Sequence, residues 1–246
     1  MSTSEVVEVA TIDVAGQKSP MRLFNNEASL RIANEILAGR TYPRVQFVND
    51  VKTVVDVGAN VGAASIFFAF QYPQAMIFAC EPASSPFSVL RQNVAPFTNV
   101  RTFPIGLFSC DKTSALYPGR NDSVESSIAA SNRTIAEPEQ IRLRCAEDFM
   151  VAQELNAIDI LKVDTEGCEV HILRSLQRFL PGIKIIYLEY HSDRDRRLID
   201  TLLADTHTLW RGHADLIYRG ELCYLNKKLV PHPSLICSTE IILPLD

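Results

Sequence analysis

Two short segments in the second half of the chain carry side chains that could perform acid–base chemistry. Asp164 and Glu166 lie in "LKVDTEG", and Glu189 and His191 lie in "YLEYH". Each segment follows an apolar run typical of a buried parallel strand, and the carboxyl ends of neighbouring parallel strands meet in one crevice. The ordinary pKa of histidine lies near neutrality, so His191 is the predicted catalytic base, with Glu189 orienting it from the same side of the strand.

A turn with few side chains follows an earlier apolar run, in "VVDVGANVGAASIFF". Gly58 and Gly62 can adopt a positive φ, and Asn60 is of a residue type that also tolerates it. Such a turn presents backbone to a ligand. Asp56, which precedes the turn, either accepts hydrogen bonds from a cationic or NH-bearing ligand group or fixes the turn by accepting from its amides. The ligand contacts predicted here are Asp56, Gly58, Ala59, Asn60 and Gly62.

A second acidic position indicates the kind of ligand. Glu81 in "FACEP" ends the next predicted strand, about 20 residues after the turn, where a carboxylate binds a ribose diol in doubly wound sheets. Asn60 and Ala63 replace the second and third glycines of the dinucleotide fingerprint, which disfavours a pyrophosphate. A nucleoside with a charged amino-acid tail fits better. The pattern therefore predicts S-adenosylmethionine as the cofactor, bound by Glu81 and Pro82, with Asp164 contacting either its amino-acid tail or the methyl acceptor.

At these residues the sequence resembles the FkbM-type S-adenosylmethionine-dependent methyltransferases. The segments that carry the resemblance are "VVDVGANVGAASIFFA", "CEP" followed by a helix, "VESSI", "IDILKVDTEGCEVHIL" and "IIYLEYH". The resemblance implies an α/β, Rossmann-like class I methyltransferase fold, with a seven-stranded, mostly parallel sheet, an antiparallel last strand and helices on both faces. It also implies an enzyme that methylates a hydroxyl oxygen of a small molecule, such as a sugar, a polyketide or another secondary metabolite.

The methyl acceptor is expected at the strand ends and at the paired serines of "VESSI". The predicted substrate contacts are Ser126, Ser127, Glu166 and His191, and the predicted catalytic residues are His191, Glu189 and Asp164. Each has a structural alternative. The serines could cap a short helix, and Glu166 and Glu169 could interact with a helix macrodipole. His191 could bond a carbonyl at the sheet edge.

The order of the predicted elements divides the chain in two. Residues 1–50 are predicted to form an N-terminal extension of a β-hairpin and an asparagine-capped helix that stops at Gly39, and residues 51–246 the Rossmann-like domain. A helix is predicted over 62–71, and another with Ser85 as its cap and Pro86 at its first position. Antiparallel strands are predicted on either side of Arg219 and Gly220. The predicted parallel strands are "TVVDV", "AMIFACE", "NVRTFPI", "IDILKVD" and "IKIIYLEY".

Composition limits the partners. The chain has 246 residues, 47% of them hydrophobic, and a net charge of −5, so it suits one globular α/β domain and lacks the basic field expected of a nucleic-acid binder. A small-molecule acceptor is expected instead. No stretch of about 20 apolar residues is present, which predicts no membrane contact and a cytoplasmic location. The six cysteines lack zinc-ligand spacing and are predicted to be reduced thiols. A homo-oligomer is compatible with the sequence.

Three functional alternatives stay open. Asp164, Glu166 and Glu189 could hold Mg²⁺, which would lower the pKa of an acceptor hydroxyl, although a metal-free site is the primary prediction. A nicotinamide-dependent oxidoreductase would share the glycine turn and Glu81 but would need space for a pyrophosphate at Asn60. A non-catalytic module would bind S-adenosylmethionine and transfer nothing.

Overall fold

The computed structural model describes residues 6–10, 20–119, 122–127, 137–216 and 218–229, and it describes only the backbone at 6–10, 118–119, 122–127 and 215. The strands are β1 Val6–Ala10, β2 Pro20–Phe24, β3 Thr53–Val57, β4 Met76–Cys80, β5 Val100–Phe103, β6 Gly106–Phe108, β7 Lys112–Gly119, β8 Asp122–Ser127, β9 Glu139–Cys145, β10 Ile160–Val163, β11 Ile185–Tyr190, β12 His207–Leu216 and β13 Arg219–Asn226. The helices are α1 Glu27–Leu37, α2 Ala63–Gln71, α3 Ser84–Val94, α4 Ala146–Ala152, α5 Glu169–Ser175 and α6 Asp193–Leu203, with a 3₁₀ turn at Leu180–Gly182.

The main sheet has seven strands in the order β12-β13-β11-β10-β3-β4-β5. The five strands from β11 to β5 are parallel, whereas β13 is antiparallel to both β11 and β12. β13, the last strand among the described residues, therefore runs against the rest of the sheet, between β11 and the edge strand β12. This arrangement confirms the predicted α/β, Rossmann-like fold.

Apolar side chains cover both faces of this sheet. Side chains alternate along a strand, so Val54 of β3 packs with α1, α2 and α3 on one face, whereas Val55 and Val57 pack with α4, α5 and α6 on the other. Val54, Val55 and Val57 are all fully buried. Burial on both faces explains why the parallel strands are near-continuous apolar runs rather than alternating ones.

Parallel strands direct the residues that follow them to one edge of the sheet. β4 lies on one side of β3 and β10 on the other, so the chain connections diverge at the carboxyl end of β3. A crevice forms at such a switch point in open α/β sheets. The glycine turn after β3, Glu81 after β4 and Asp164 after β10 are thereby placed around one opening.

The N-terminal residues are tied to this domain. Strand β1 pairs antiparallel with β2, and the Asn26 side chain caps α1 by accepting from Ser29 N at 2.8 Å. The buried side chain of Asn93 in α3 accepts from Arg22 N at 2.7 Å and donates to Val61 O, also at 2.7 Å. One amide thus connects β2, α3 and the glycine turn. The division of the chain at residue 50 stays a prediction.

Two local predictions differ from the structure. Helix α3 begins at Ser84, with Ala83 in the cap position, so Ser85 is not the cap and Pro86 is the third helical residue. The reason is tertiary, because Glu139 of β9 accepts from Ser84 N at 3.0 Å. A second sheet of order β6-β9-β7-β8 is also present, and the sequence analysis did not predict it.

Within the described ranges, no helix is long and apolar enough to cross a membrane. Five of the six cysteines are described; all are free thiols, and Cys80, Cys168 and Cys223 are buried.

Candidate functional site

A cavity of about 770 Å³ opens at the carboxyl edge of the parallel strands. Its wall also includes residues of α1, β12 and β13, so it extends from the glycine turn to the antiparallel end of the sheet. The predicted site residues that line it are Gly58, Asn60, Glu81, Pro82, Asp164, Glu166 and Glu189. Four other predicted residues, Asp56, Ala59, Gly62 and His191, do not line it.

The glycine turn is shaped by close packing of the chain against itself. Gly58 has a φ of +76°, and a Cβ there would lie 1.8 Å from the Asp164 carbonyl oxygen. Gly62 has a φ of +94°, and its Cβ would lie 2.7 Å from Leu90. Asn60 has a φ of +50°, the left-handed conformation expected for it. Both glycines are therefore required by the fold, and only Gly58 also faces the cavity.

Asp56 does not contact the cavity because its carboxylate is engaged inside the protein. It is fully buried, accepts from Ser65 Oγ at 2.6 Å and lies 3.2 Å from Lys162 Nζ. Lys162, 3% exposed, also donates to Gly58 O at 2.6 Å. Burial opposes its charge, but Asp56 and Asp164 raise the pKa of Lys162 above its usual value. Asp56 therefore fixes the turn indirectly, through Lys162, and the predicted cofactor contact is corrected to this role.

Glu81 has the geometry expected of a ribose ligand. It is buried on the cavity wall, where Oε2 accepts from Asn60 N at 2.9 Å and Oε1 from Ala83 N at 2.8 Å. Burial raises its pKa to about 7, although the two amides oppose the shift. Each carboxylate oxygen keeps a further lone pair, so the fixed carboxylate can accept from two hydroxyls.

An acidic cluster lies opposite Glu81 across the strand ends. Asp164, Glu166 and Glu189 line the cavity, and Arg219 at the start of β13 inserts among them. Arg219 Nε donates to Glu189 Oε1, and its Nη2 lies 3.3 Å from Glu166 Oε1. The three acids thus come together as predicted, with a cation that the sequence interpretation did not include.

His191 is surrounded by carboxylates and is not suited to act as a base. Its Nε2 lies 2.9 Å from Glu166 Oε2 and 3.7 Å from Glu189 Oε1, and its Nδ1 lies 3.6 Å from Glu169 Oε1. Burial opposes protonation, but these acids prevail and raise the pKa of His191 to about 11. A general base must be unprotonated at working pH. The predicted role of His191 as base is therefore corrected to that of a fixed cation.

Asp164 and Glu189 are the remaining candidates for proton transfer. Burial and the adjacent Asp164 raise the pKa of Glu189 to about 9. Burial would also raise the pKa of Asp164, but the charge of Lys162 and a hydrogen bond from Glu189 outweigh burial and hold this pKa below its usual value. At neutral pH the pair of Asp164 and Glu189 therefore carries one proton, which lies on Glu189. Both residues line the cavity, and Asp164 is the ionised one.

The cluster also offers a possible set of metal ligands. One ligand atom each from Asp164, Glu166, Glu189 and His191 lies within 4.8 Å of the others. Arg219 already contacts two of these carboxylates, and a protonated histidine cannot ligate a metal. Without a metal, Arg219 and His191 supply the positive charge beside these carboxylates, so Mg²⁺ would have to displace Arg219 from two of them, and metal dependence stays a prediction.

Glu169 closes the turn before α5. Its buried Oε1 accepts from Thr165 N and Oγ1 at 3.0 Å and from Gly167 N at 3.1 Å. Glu166 has a φ of +54° in the same turn and lines the cavity, whereas Glu169 does not.

Ser126 and Ser127 end β8, whose backbone pairs with β7 at Tyr117 and Ser127. Their side chains lie outside the described part of the chain, so the predicted substrate contact remains a prediction.

Arg219 and Tyr42 are among the cavity residues that the sequence interpretation missed. The sequence analysis placed Arg219 in a hairpin and gave it no role. In the structure Gly220 pairs with Tyr190, so Arg219 lies beside the end of β11, and this pairing between distant strands could not be read from the sequence. Tyr42 lies between α1 and β3, where no periodicity marks a site. Neither position carries a sequence motif.

A cavity above a glycine turn, with a buried acid after the neighbouring parallel strand, is the geometry of a nucleoside site in a doubly wound sheet, and the antiparallel last strand is the one that the resemblance implied for the methyltransferase fold. The family model described as Methyltransferase FkbM domain matches residues 56–211, so the chain belongs to the FkbM methyltransferase family.

Three curated relatives illustrate this membership. Methyltransferase 1 of Beauveria bassiana is 28% identical over 59% of this chain and 66% of its own length. The 2-O-methyltransferase NoeI of Sinorhizobium fredii is 23% identical over 58% and 64%, and the 31-O-demethyl-FK506 methyltransferase FkbM of Streptomyces tacrolimicus is 27% identical over 65% and 71%. The match thus spans about two thirds of the length of these relatives.

Proposed function

We propose that this chain transfers a methyl group from S-adenosylmethionine to a hydroxyl oxygen of a small molecule. The observation that carries the proposal is Glu81, a buried carboxylate on the cavity wall, held by two backbone amides with lone pairs left for a ribose diol. Family membership supports methyl transfer. Two relatives, one named a 2-O-methyltransferase and the other a methyltransferase of 31-O-demethyl-FK506, support oxygen as the acceptor atom.

We place the donor with its ribose at Glu81, beside the backbone of Gly58. In this orientation its amino-acid tail would extend towards Asp164 and the acidic cluster, which line the same cavity. S-adenosylmethionine would supply a methyl group activated by a positively charged sulfur. The ionised Asp164 provides a negative field for that charge in a partly enclosed site, where electrostatic interactions are strong.

The chain's own residues can then position the acceptor and take up its proton. We place the acceptor hydroxyl against Asp164, which accepts its hydrogen bond and keeps the oxygen in line with the methyl group. The donor would supply a methyl group whose leaving group is a neutral thioether, and Asp164 would take up the proton that the acceptor hydroxyl releases. Glu189 fixes the orientation of Asp164 by donating to it, while His191 and Arg219 balance the charge of the cluster.

The test combines binding and turnover. Isothermal titration calorimetry of the purified chain should show binding of S-adenosylmethionine and S-adenosylhomocysteine and none of NAD. Glu81→Gln should weaken donor binding about 10- to 100-fold, because a ribose hydroxyl loses its charged partner. Labelled donor should transfer its methyl group to a member of a panel of hydroxylated sugars and polyketides. NAD binding alone would refute the proposal, and donor binding without transfer would contradict its catalytic part.

Asp164→Asn provides the matched catalytic control. It keeps the shape and the hydrogen-bonding capacity of the side chain but cannot take the proton. Turnover at saturating donor and acceptor should fall by about 100-fold or more, whatever affinity for the donor is lost with the charge. Unchanged turnover at saturating substrate would show that another group receives the proton.

A further inference from the structure

The segment that follows α1 contributes one aromatic side chain to the cavity wall. Tyr42 is 6% exposed, and its ring packs at a tilt against Phe68, with centroids 5.7 Å apart, and edge-on against Tyr187 at 5.4 Å. Tyr187 also donates its hydroxyl to Pro43 O at 2.6 Å. The ring of Tyr42 is therefore fixed by packing on two sides and by a hydrogen bond to the next residue.

The hydroxyl of Tyr42 lacks a hydrogen-bond partner among the described residues, in contrast to that of Tyr187. Burial and the negative charges of Asp164 and Glu221 raise the pKa of Tyr42 well above its usual value, so the hydroxyl is neutral and can donate. Tyr42 lines the cavity, so its hydroxyl is accessible from it. An unpaired hydroxyl on a fixed ring in the wall of a cavity is available to a ligand group at that position.

The orientation of the donor identifies that group, and this step rests on the proposed function. The ribose lies at Glu81, so the amino-acid tail extends towards Asp164, whose charge acts on the Tyr42 hydroxyl. The tail ends in an ammonium and a carboxylate. Asp164 suits the ammonium, whereas the carboxylate needs a donor that is not itself acidic, and Tyr42 is such a donor. We propose that the Tyr42 hydroxyl binds the amino-acid tail of S-adenosylmethionine, so that the N-terminal extension completes the donor site.

The test compares two ligands that differ in the tail. S-adenosylhomocysteine carries it, whereas 5′-methylthioadenosine has the same nucleoside and sulfur without it. Tyr42→Phe keeps the ring packing and removes only the hydroxyl. Calorimetry should show about tenfold or greater loss of affinity for S-adenosylhomocysteine, because a hydrogen bond to a charged group is lost, and less than twofold change for 5′-methylthioadenosine.

Tyr72→Phe is the matched control, because Tyr72 is also 6% exposed but does not line the cavity. It should leave both affinities unchanged, and the thermal unfolding temperatures of the two variants should remain close to that of the wild type. Equal affinities of Tyr42→Phe and wild type for S-adenosylhomocysteine would overturn the proposal. Equal loss for both ligands would overturn it too, since Tyr42 would then shape the cavity. A wild type that binds neither ligand would refute the proposed function itself, and this inference with it.

Discussion

The buried pair of Lys162 and Asp56 should be the most sensitive ionic interaction in the site. Their side chains are 3% and 0% exposed and 3.2 Å apart, and Lys162 also bonds Gly58 O. Lys162→Met keeps the volume but leaves the Asp56 carboxylate buried with only Ser65 as a partner. Removing one member of a buried pair typically costs about 3–5 kcal/mol, so the free energy of unfolding should fall by that amount.

Urea unfolding followed by circular dichroism measures this loss, and a double-mutant cycle separates the pair from its surroundings. Asp56→Asn removes the charge that Lys162→Met leaves unpaired. The double variant should therefore be more stable than the sum of the single losses predicts, by about 2 kcal/mol or more.

Lys52→Met is the control for a general effect of losing a lysine. Lys52 lies 3.5 Å from Asp50, but both side chains are more than 70% exposed. An exposed pair contributes about 0–1 kcal/mol, so little should change. A loss below about 1 kcal/mol for Lys162→Met, or additive losses in the cycle, would refute the assignment of this pair as the support of the glycine turn.

Three further predictions follow from the site geometry. Carboxylates raise the pKa of His191 to about 11 in the folded chain, so its protonation stabilises the fold fully below about pH 6.5 and this contribution is lost as the pH rises through about 11. Urea unfolding of wild type and His191→Gln should thus differ more near pH 6 than near pH 10, and a constant difference would contradict the ion cluster. Gly58→Ala should lower the free energy of unfolding in urea by more than about 3 kcal/mol, because the added Cβ would lie 1.8 Å from a carbonyl oxygen. Gly167→Ala, which has a φ of +111° but open space around the added Cβ, should lower it by about 1–3 kcal/mol. Equal losses for the two variants would refute the close approach at Gly58. Burial raises the pKa of Glu81 to about 7, and the ionised form binds a diol better, so calorimetry should show affinity for S-adenosylhomocysteine rising with pH through 7 in the wild type but not in Glu81→Gln.

The parallel strands and the glycine turn could be predicted because their signals are local. The apolar runs that became β3, β10 and β11 carry their own burial pattern, and Asn60 adopts the left-handed conformation that its residue type permits. The antiparallel last strand followed from the resemblance and from alternation around Gly220. Each of these features depends on a few consecutive residues.

The charge states of the site could not be predicted, because they depend on residues far apart in the chain. His191 looked like a base from its position after β11, but its pKa is decided by Glu166 and Glu169 of another loop. Asp56 looked like a ligand contact until its burial against Lys162 was known. Tyr42 reaches the cavity from a segment without periodicity. Sequence spacing indicated which groups meet, but not which of them are already paired.

A crystal structure of the chain with S-adenosylhomocysteine would test the central claim most directly. The ribose hydroxyl oxygens should lie within about 3.2 Å of the Glu81 carboxylate, with the nucleoside beside Gly58 and the amino-acid tail towards Asp164. A ribose bound away from Glu81, or a nucleoside located outside the cavity, would contradict the proposed donor site.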